Sequence, residues 1–197
     1  MSGHTFNAQP IRIARTGTPS VWSDVDLAAF QRFVRLGTTG ANTELREILV
    51  LAGPWVENAT ATTLSEDTLV LTVVVGALNN VDIEGSTMIQ LPFGPVTAVT
   101  SVAWTGGSET SLTLETNTMP ERVKLPTTVP ADALEVDVTY TAGRTNWAAF
   151  TSQEQFAVYM ALSHFWQNRE AVSSPKLDPV PFMMSYALAA IDRSTFG

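Results

Sequence analysis

The chain of 197 residues contains no cysteine, only two histidines and few charged residues. The absence of cysteine excludes disulfide bonds, thiolate zinc sites and a cysteine nucleophile. Charged residues make up 15% of the chain, whereas roughly 25% is usual for soluble domains. Because 45% of the residues are hydrophobic, the chain has enough apolar material for a core and for surfaces that contact other subunits.

The sequence also lacks excess basic charge and long hydrophobic runs. The formal net charge is −8, so the chain has no cationic surface that would neutralise phosphates, and an acidic surface instead repels DNA. No apolar run approaches the length of about eighteen residues that a membrane span requires. The N-terminus has no apolar core of a secretory signal. We therefore expect a soluble protein that is made in the cytoplasm and binds no membrane.

The first sixty residues predict an arm followed by two helices. Residues 1–22 contain Gly, Pro, Ser and Thr without periodicity, which is typical of a flexible arm. Ser23 is a candidate N-cap for a first helix over 24–36, which carries one apolar face. A second helix is predicted over 42–59, because its apolar residues recur at helical spacing on one stripe.

Residues 66–141 predict a mainly antiparallel β-module. Short β-branched runs alternate there with turn residues, and Gly106–Gly107 supplies the turn of a hairpin. The final run alternates apolar and polar residues, which indicates a half-buried strand. Four of its side chains are predicted to face the core: Leu134, Val136, Val138 and Tyr140.

Helical patterns return in the C-terminal quarter. Thr151 and Glu154 form a capping-box sequence that begins a helix over 151–169. Apolar residues cover nearly every direction around this helix, so we expect a neighbouring subunit on one flank. The predicted subunit interface consists of Phe156, Tyr159, Phe165, Trp166 and Arg169. After a proline-punctuated loop, a last helix is predicted over 181–192.

Together these elements predict an α+β fold: a helical bundle of two N-terminal and two C-terminal helices, with the β-module inserted between them. Residues 23–192 form one predicted domain. Met183 and Met184 of the last helix fit equally well in a core or on an adaptable contact surface.

Residues that carry chemistry are isolated from one another in the sequence. His164 has no second nitrogen ligand nearby, and Glu170 lies on a different helical face, so a metal site is not predicted. A hydrolase would need His164 as its base, yet the nucleophile motif G-x-S-x-G is absent. Glu154 and the strand residues Glu135 and Asp137 fit capping or solvated positions better than paired acid–base roles. We predict no catalytic, metal-binding or cofactor-binding residues.

Several motifs together resemble one known family. They are "LPFGPVTAVTSVAW", "RVKL", "VDVTYTAG", "HFWQNREAV" and "VPFMMSYAL", in this order over residues 24–192. The pattern is similar to that of the head–tail connector (adaptor, or head completion) proteins of siphovirus-like phages and gene transfer agents. The "ELREILVLAGPWVENAT" segment also looks like the second helix of this family.

The resemblance implies a structural protein without enzymatic activity or cofactor. Members form a ring, expected to be dodecameric, at the neck of the particle. The ring joins the portal protein to a stopper or tail-terminator protein, and DNA passes through it without specific binding. The C-terminal helix is expected to dock against the portal through Phe182, Met183, Met184, Tyr186, Leu188 and Ile191.

Two alternatives remain open at this point. The first is a ligand- or carbohydrate-binding β-module of a tail or baseplate protein, in which exposed Trp104 and Trp147 would serve as stacking platforms. The second is a hydrolase that uses His164.

Overall fold

The computed structural model describes residues 12–16, 21–35, 42–74, 87–118, 120–130, 133–168 and 182–192. The chain divides into two compact units, whereas the sequence predicts one domain over 23–192. A β unit comprises Met1–Thr18, Glu66–Gly143 and Thr195–Gly197, and a helical unit comprises Pro19–Ser65 and Arg144–Ser194. The β unit thus interrupts the helical unit in sequence, and the predicted α+β class is confirmed.

In the described residues, the helical unit contains four α-helices and two single-turn 3-10 helices. The first turn, Val21–Asp24, precedes α1 (Leu27–Phe33) and α2 (Asn42–Thr60); the second, Trp147–Ala149, precedes α3 (Ser152–Gln167) and α4 (Phe182–Ala189). Helix α1 is shorter than predicted because its N-cap is Asp26, whose carboxylate accepts a hydrogen bond of 2.9 Å from the Ala29 amide. Ser23 instead donates to the Asp24 carboxylate. Among the described helices, none is long and apolar enough to cross a membrane.

The core of the helical unit lies between α2 and α3. The buried stripe of α2 has the helical spacing that the sequence predicts, and it packs against small and branched residues of α3. The buried residues are Leu45, Leu49, Ala52 and Val56 of α2 and Ala157, Val158, Ala161 and Leu162 of α3. Each fully buried leucine side chain contributes about 1.5–3 kcal/mol relative to an exposed one.

Helix α3 begins at the predicted capping box. The Glu154 amide donates to the Thr151 hydroxyl over 3.2 Å, and the Glu154 carboxylate accepts from the Thr151 amide over 2.7 Å. These two bonds satisfy donors that the first turn of a helix leaves unpaired. The helix ends at Gln167, and the predicted last residue, Arg169, lies outside the described residues.

The described part of the β unit contains eight strands in two antiparallel sheets. The larger sheet has the order β1-β2-β8-β4-β5 and the smaller has the order β3-β7-β6. The strands are β1 (Arg12–Arg15), β2 (Asp67–Val74), β3 (Met88–Gln90), β4 (Val96–Trp104), β5 (Gly107–Glu109), β6 (Leu114–Glu115), β7 (Arg122–Lys124) and β8 (Glu135–Ala142). The predicted hairpin joins β4 to β5, and Gly106 adopts the left-handed φ of 100° at its turn.

Strand β1 belongs to the segment that the sequence predicts to be a flexible arm. Arg12–Arg15 instead pair with β2, with Ile13 opposite Leu71 and Arg15 opposite Leu69. The Arg15 guanidinium lies 5.8 Å from the centre of the Phe93 ring, close enough for a cation–π contact. The pairing with β2 therefore orders part of the arm.

Strand β8 is central in its sheet and supplies much of the β core. Val136, Val138 and Tyr140 are fully buried, as predicted. The prediction for Leu134 is wrong: its side chain is 82% exposed, because the strand begins only at Glu135. The Tyr140 hydroxyl donates to the Pro92 carbonyl over 2.5 Å. Burial raises the pKa of Tyr140 well above its usual range, with the Arg15 charge opposing that shift.

Candidate functional site

His164 is the described histidine that a hydrolase or a metal site would need. His164 lies half-buried on α3, where its Nδ1 is 3.3 Å from the side-chain nitrogen Nδ2 of Asn168 and its ring packs edge-on against Phe165. In the described part of the chain, no group of three His, Cys, Asp or Glu residues is placed to hold a metal ion. These contacts give His164 a packing role at the end of α3.

The buried carboxylates of the helical unit have structural partners. Glu57 accepts hydrogen bonds from the Leu64 amide over 2.7 Å and the Ser65 amide over 3.1 Å. Glu154 completes the capping box and also pairs with Arg144 over 3.3 Å. The two carboxylates hold the segment that leaves α2 and the segment that enters α3.

These two segments also contact each other directly. Ser65 and Arg144 form an isolated parallel bridge, and the Arg144 amide donates to the Leu64 carbonyl over 2.8 Å. The acids beside them therefore stabilise the point at which the chain departs from the helical unit and returns to it.

The aromatic residues predicted at a subunit interface pack within the chain itself. Phe156 and Tyr159 contact Phe33 of α1 at ring-centre distances of 6.0 and 5.8 Å, and Phe165 contacts Trp55 of α2 at 5.9 Å. Together with Trp166 they are half-buried around the helical core. Helices of the same chain therefore provide much of the apolar cover that the sequence analysis assigns to a neighbouring subunit.

Tyr159 joins α3 to the start of α1. Its hydroxyl donates to the Asp26 carbonyl over 3.1 Å, and its ring lies 5.5 Å from that of Trp147. Burial, followed by the nearby Asp26 charge, raises the pKa of Tyr159. This residue thus ties α1 to α3.

The six predicted portal-docking residues, five in α4 and Ile191 just after it, separate into two sets. Met184 is fully buried in the helical core, and Leu188 and Ile191 pack partly against it. Met183 and Tyr186 are 55% and 69% exposed. The side chain of Phe182 lies outside the described residues. One side of α4 therefore holds it in the helical unit, and the other presents two large apolar side chains.

A groove of about 360 Å³ runs beside the exposed side of α4. It is lined by Ser152, Gln153 and Phe156 of α3 and by Tyr186, Ala187 and Ala190 at the C-terminal end. Its walls are mainly apolar, so it suits a protein side chain or segment better than a charged ligand.

The two tryptophans expected to act as stacking platforms are not both exposed. Trp147 is buried against Phe150 and Tyr159, which corrects the expectation that it faces solvent. Trp104 is half-buried, and its indole lies so close to Gly107 that a Cβ there would be 2.8 Å from the ring. The ring is thus partly covered by its own hairpin.

The β unit does contain a polar cleft of about 410 Å³. It is lined by Arg12, Ala14, Val70, Thr72, Glu135 and Asp137, with no aromatic residue among them. Asp137 already accepts a hydrogen bond of 2.6 Å from Thr72. Among the described residues, the lining of this cleft therefore offers no aromatic ring on which a sugar would stack.

Two exposed apolar patches on the helical unit are not among the sites predicted from the sequence. Val50 and Leu51 of α2 are 60% and 65% exposed, and Phe33 at the end of α1 is 44% exposed. The patch of Val50 and Leu51 could have been predicted from the sequence, because these two apolar residues lie outside the stripe that recurs at helical spacing.

A helical unit that is interrupted in sequence by an antiparallel β unit defines an α+β architecture, and the described residues present exposed apolar side chains on α1, α2 and α4. No protein-family model matches the chain, and no curated protein sequence matches it. Chains with the same fold do occur in solved structures of gene transfer agent particles.

Three such chains have TM-scores above 0.6. One lies in the neck of an empty particle computed with C6 symmetry (TM-score 0.66, 20% identity, 92% of this chain and 95% of that chain). Another lies in the virion of the native particle (0.65, 20% identity, 92% and 95%). A third lies in the neck of the native particle computed with C12 symmetry (0.62, 17% identity, 91% and 94%). The fold implied by the sequence resemblance is thereby confirmed.

Proposed function

We propose that this chain is a head–tail connector subunit at the neck of a phage or gene transfer agent particle. It forms a ring beneath the portal, joins the capsid vertex to a stopper or tail-terminator protein, and extends the DNA channel. The observation that carries this proposal is the likeness of fold over 92% of the chain to chains of gene transfer agent necks and virions. The chain acts as a structural component and not as an enzyme.

The symmetry of the similar particles supports the ring. Their necks are described with C6 and C12 symmetry, and twelve copies of this chain would satisfy either description. Exposed apolar side chains on α1, α2 and α4 supply surface that neighbouring copies or other neck proteins would bury.

The charge of the chain suits a DNA channel. Nineteen acidic residues outnumber eleven basic ones, so DNA phosphates gain little attraction from the chain as a whole. DNA can then pass through the ring without being held.

We assign the exposed side of α4 to portal binding. Met184 and Ala187 are buried and fix the helix in its unit, whereas Met183 and Tyr186 face outward beside the apolar groove. An apolar helix face next to a groove is a common form of protein docking site. Phe182, Leu188 and Ile191 belong to the same proposed segment.

A binding assay with the portal protein of the same particle tests this assignment. We expect deletion of residues 181–197 to abolish binding. Met183→Glu combined with Tyr186→Glu should weaken binding at least about tenfold, because both charges would be placed in an apolar contact. Leu134→Glu is the matched control, since Leu134 is an equally large exposed apolar residue in the β unit. Wild-type affinity in the truncated chain would contradict the docking assignment.

A further inference from the structure

Helix α2 presents an apolar face that the helical core does not use. Val50 and Leu51 are more than half exposed, whereas Leu49 and Ala52 beside them in sequence are fully buried. Large apolar side chains that adjoin one another on a rigid helix are typical of a contact with another protein.

Two acidic residues precede this apolar pair on the same side of α2. Glu47 precedes Val50 by three residues and Leu51 by four, so it lies on the same side of the helix. Glu44 lies one turn before Glu47, and both glutamates are exposed. We call Glu44, Glu47, Val50 and Leu51 the acidic face of α2. This combination of side chains requires a partner that is both apolar and basic.

Two other polar residues of α2, Arg46 and Asn58, do not neutralise the negative charge of this face. Arg46 is the one basic residue of α2, and its guanidinium donates to the Ser23 carbonyl over 2.7 Å, so it is directed to the segment before α1. Asn58 follows Leu51 by seven residues, which places it on the same side of the helix, and it is exposed and uncharged. Among the residues of α2, the charge on this side of the helix is therefore that of Glu44 and Glu47.

The C-terminal end of α1 has the complementary composition. Phe33 is 44% exposed, and the side chains of Arg32 and Arg35 beside it are also exposed. Phe33 is held in place by its contacts with Phe156 and Tyr159 of α3. We call Arg32, Phe33 and Arg35 the basic end of α1.

The acidic face of α2 and the basic end of α1 carry opposite charges, and both include exposed apolar side chains. The acidic face combines two exposed apolar side chains with two acidic residues, the basic end combines one with two basic residues, and both belong to the same compact helical unit. Self-pairing of two acidic faces would oppose glutamate to glutamate, which disfavours a two-fold dimer. Pairing of the acidic face with the basic end of another copy is heterologous, and heterologous contacts generate rings when the rotation closes.

We infer that neighbouring copies of this chain are joined by the acidic face of α2 on one copy and the basic end of α1 on the next. This inference rests on the proposed ring and names the contact that builds it. The occupant of the acidic face is therefore a second copy of the chain, and the portal occupies the separate surface on α4.

The natural absence of cysteine allows a direct cross-linking test. In the double variant Phe33→Cys with Leu51→Cys, each interface would place the cysteine of one copy near that of the next. Mild oxidation of the full-length protein should then give a ladder of covalent dimers, trimers and longer multimers on a non-reducing gel. Leu134→Cys with Leu51→Cys is the matched control and should give no ladder beyond dimers. Each single-cysteine variant likewise should not exceed dimers.

Charge reversal provides a second, independent readout. Arg32→Glu with Arg35→Glu, or Glu44→Arg with Glu47→Arg, should each raise the concentration needed for half-assembly by about tenfold or more, measured by sedimentation velocity. The four-fold combination restores opposite charges and should recover assembly. All four side chains are exposed, so circular dichroism should show unchanged folding.

The outcomes distinguish this interface from the proposed function. Assembly of the wild type with no cysteine ladder and no effect of charge reversal would overturn the interface but leave the ring standing. A wild-type chain that stays monomeric at every soluble concentration would overturn the interface, and portal binding would then decide the proposed function separately. Recovery by the combined variant together with the ladder would support the interface.

Discussion

Gly53 lies in the middle of α2, where alanine would ordinarily stabilise the helix more than glycine does. In an exposed helix interior, replacing glycine by alanine stabilises by about 1 kcal/mol. Gly53 is buried, however, and a Cβ at this position would be 2.5, 2.6 and 2.8 Å from three ring atoms of Trp22. The Trp22 ring cannot easily give way, because it is buried and packs edge-on against Phe150 at 6.2 Å.

The expected effect of Gly53→Ala follows from these opposing contributions. Overpacking a buried site costs about 1–3 kcal/mol, and the close approach to an aromatic ring favours the upper end. Alanine before Pro54 adds a steric cost in a helix. After subtracting the gain in helix propensity, we expect a net loss of about 2 kcal/mol in the free energy of unfolding. For a chain of this length, that loss lowers Tm by about 4–8 °C.

Thermal unfolding followed by circular dichroism measures this change, and a double-mutant cycle isolates its cause. In the Trp22→Leu background the ring is gone, so Gly53→Ala should be close to neutral. Ala59→Gly exchanges the same two residue types at an exposed position of the same helix, so it controls for helix propensity and should cost at most about 1 kcal/mol. If Gly53→Ala raises the Tm of the otherwise wild-type protein, the reasoning about the Trp22 contact is refuted.

Two further predictions concern buried polar groups. Glu57→Ala should destabilise the protein by about 2–4 kcal/mol in chemical denaturation, because the Leu64 and Ser65 amides lose their acceptor; a loss below about 0.5 kcal/mol would contradict this. Tyr140 has a raised pKa in the folded state, so its neutral form contributes stability that is present below about pH 10 and is lost as pH rises above that value. Tyr140→Phe should therefore lower the free energy of unfolding by about 1 kcal/mol at neutral pH, because the variant lacks the hydrogen bond to the Pro92 carbonyl. Between about pH 9 and 11 the variant should lose less stability than the wild type, because it has no hydroxyl group to ionise. If the wild type and the variant lose equal stability over this pH range, ionisation of Tyr140 is not the cause of the loss.

Local patterns in the sequence predicted the elements that depend on local physics. The capping box placed the start of α3, the apolar stripe placed α2 within one residue, and alternation placed the buried side of β8. Each of these signals acts over a few neighbouring residues, so the sequence alone carries it.

Features that depend on distant partners were not predictable in this way. Strand β1 forms because β2, more than fifty residues later, offers an edge. Trp147 is buried because a 3-10 turn brings it against Tyr159. The apolar residues around α3 predicted a neighbouring subunit, whereas α1 and α2 of the same chain contact several of them. The exposed surfaces could be recognised only once the buried sides were known.

The most direct test of the central claim is an electron cryomicroscopy reconstruction of the neck of the particles that carry this protein. We predict a ring of density between the portal and the tail into which the helical and β units of this chain fit, with α4 against the portal. A well-resolved neck in which every ring is accounted for by other proteins would contradict the proposed function.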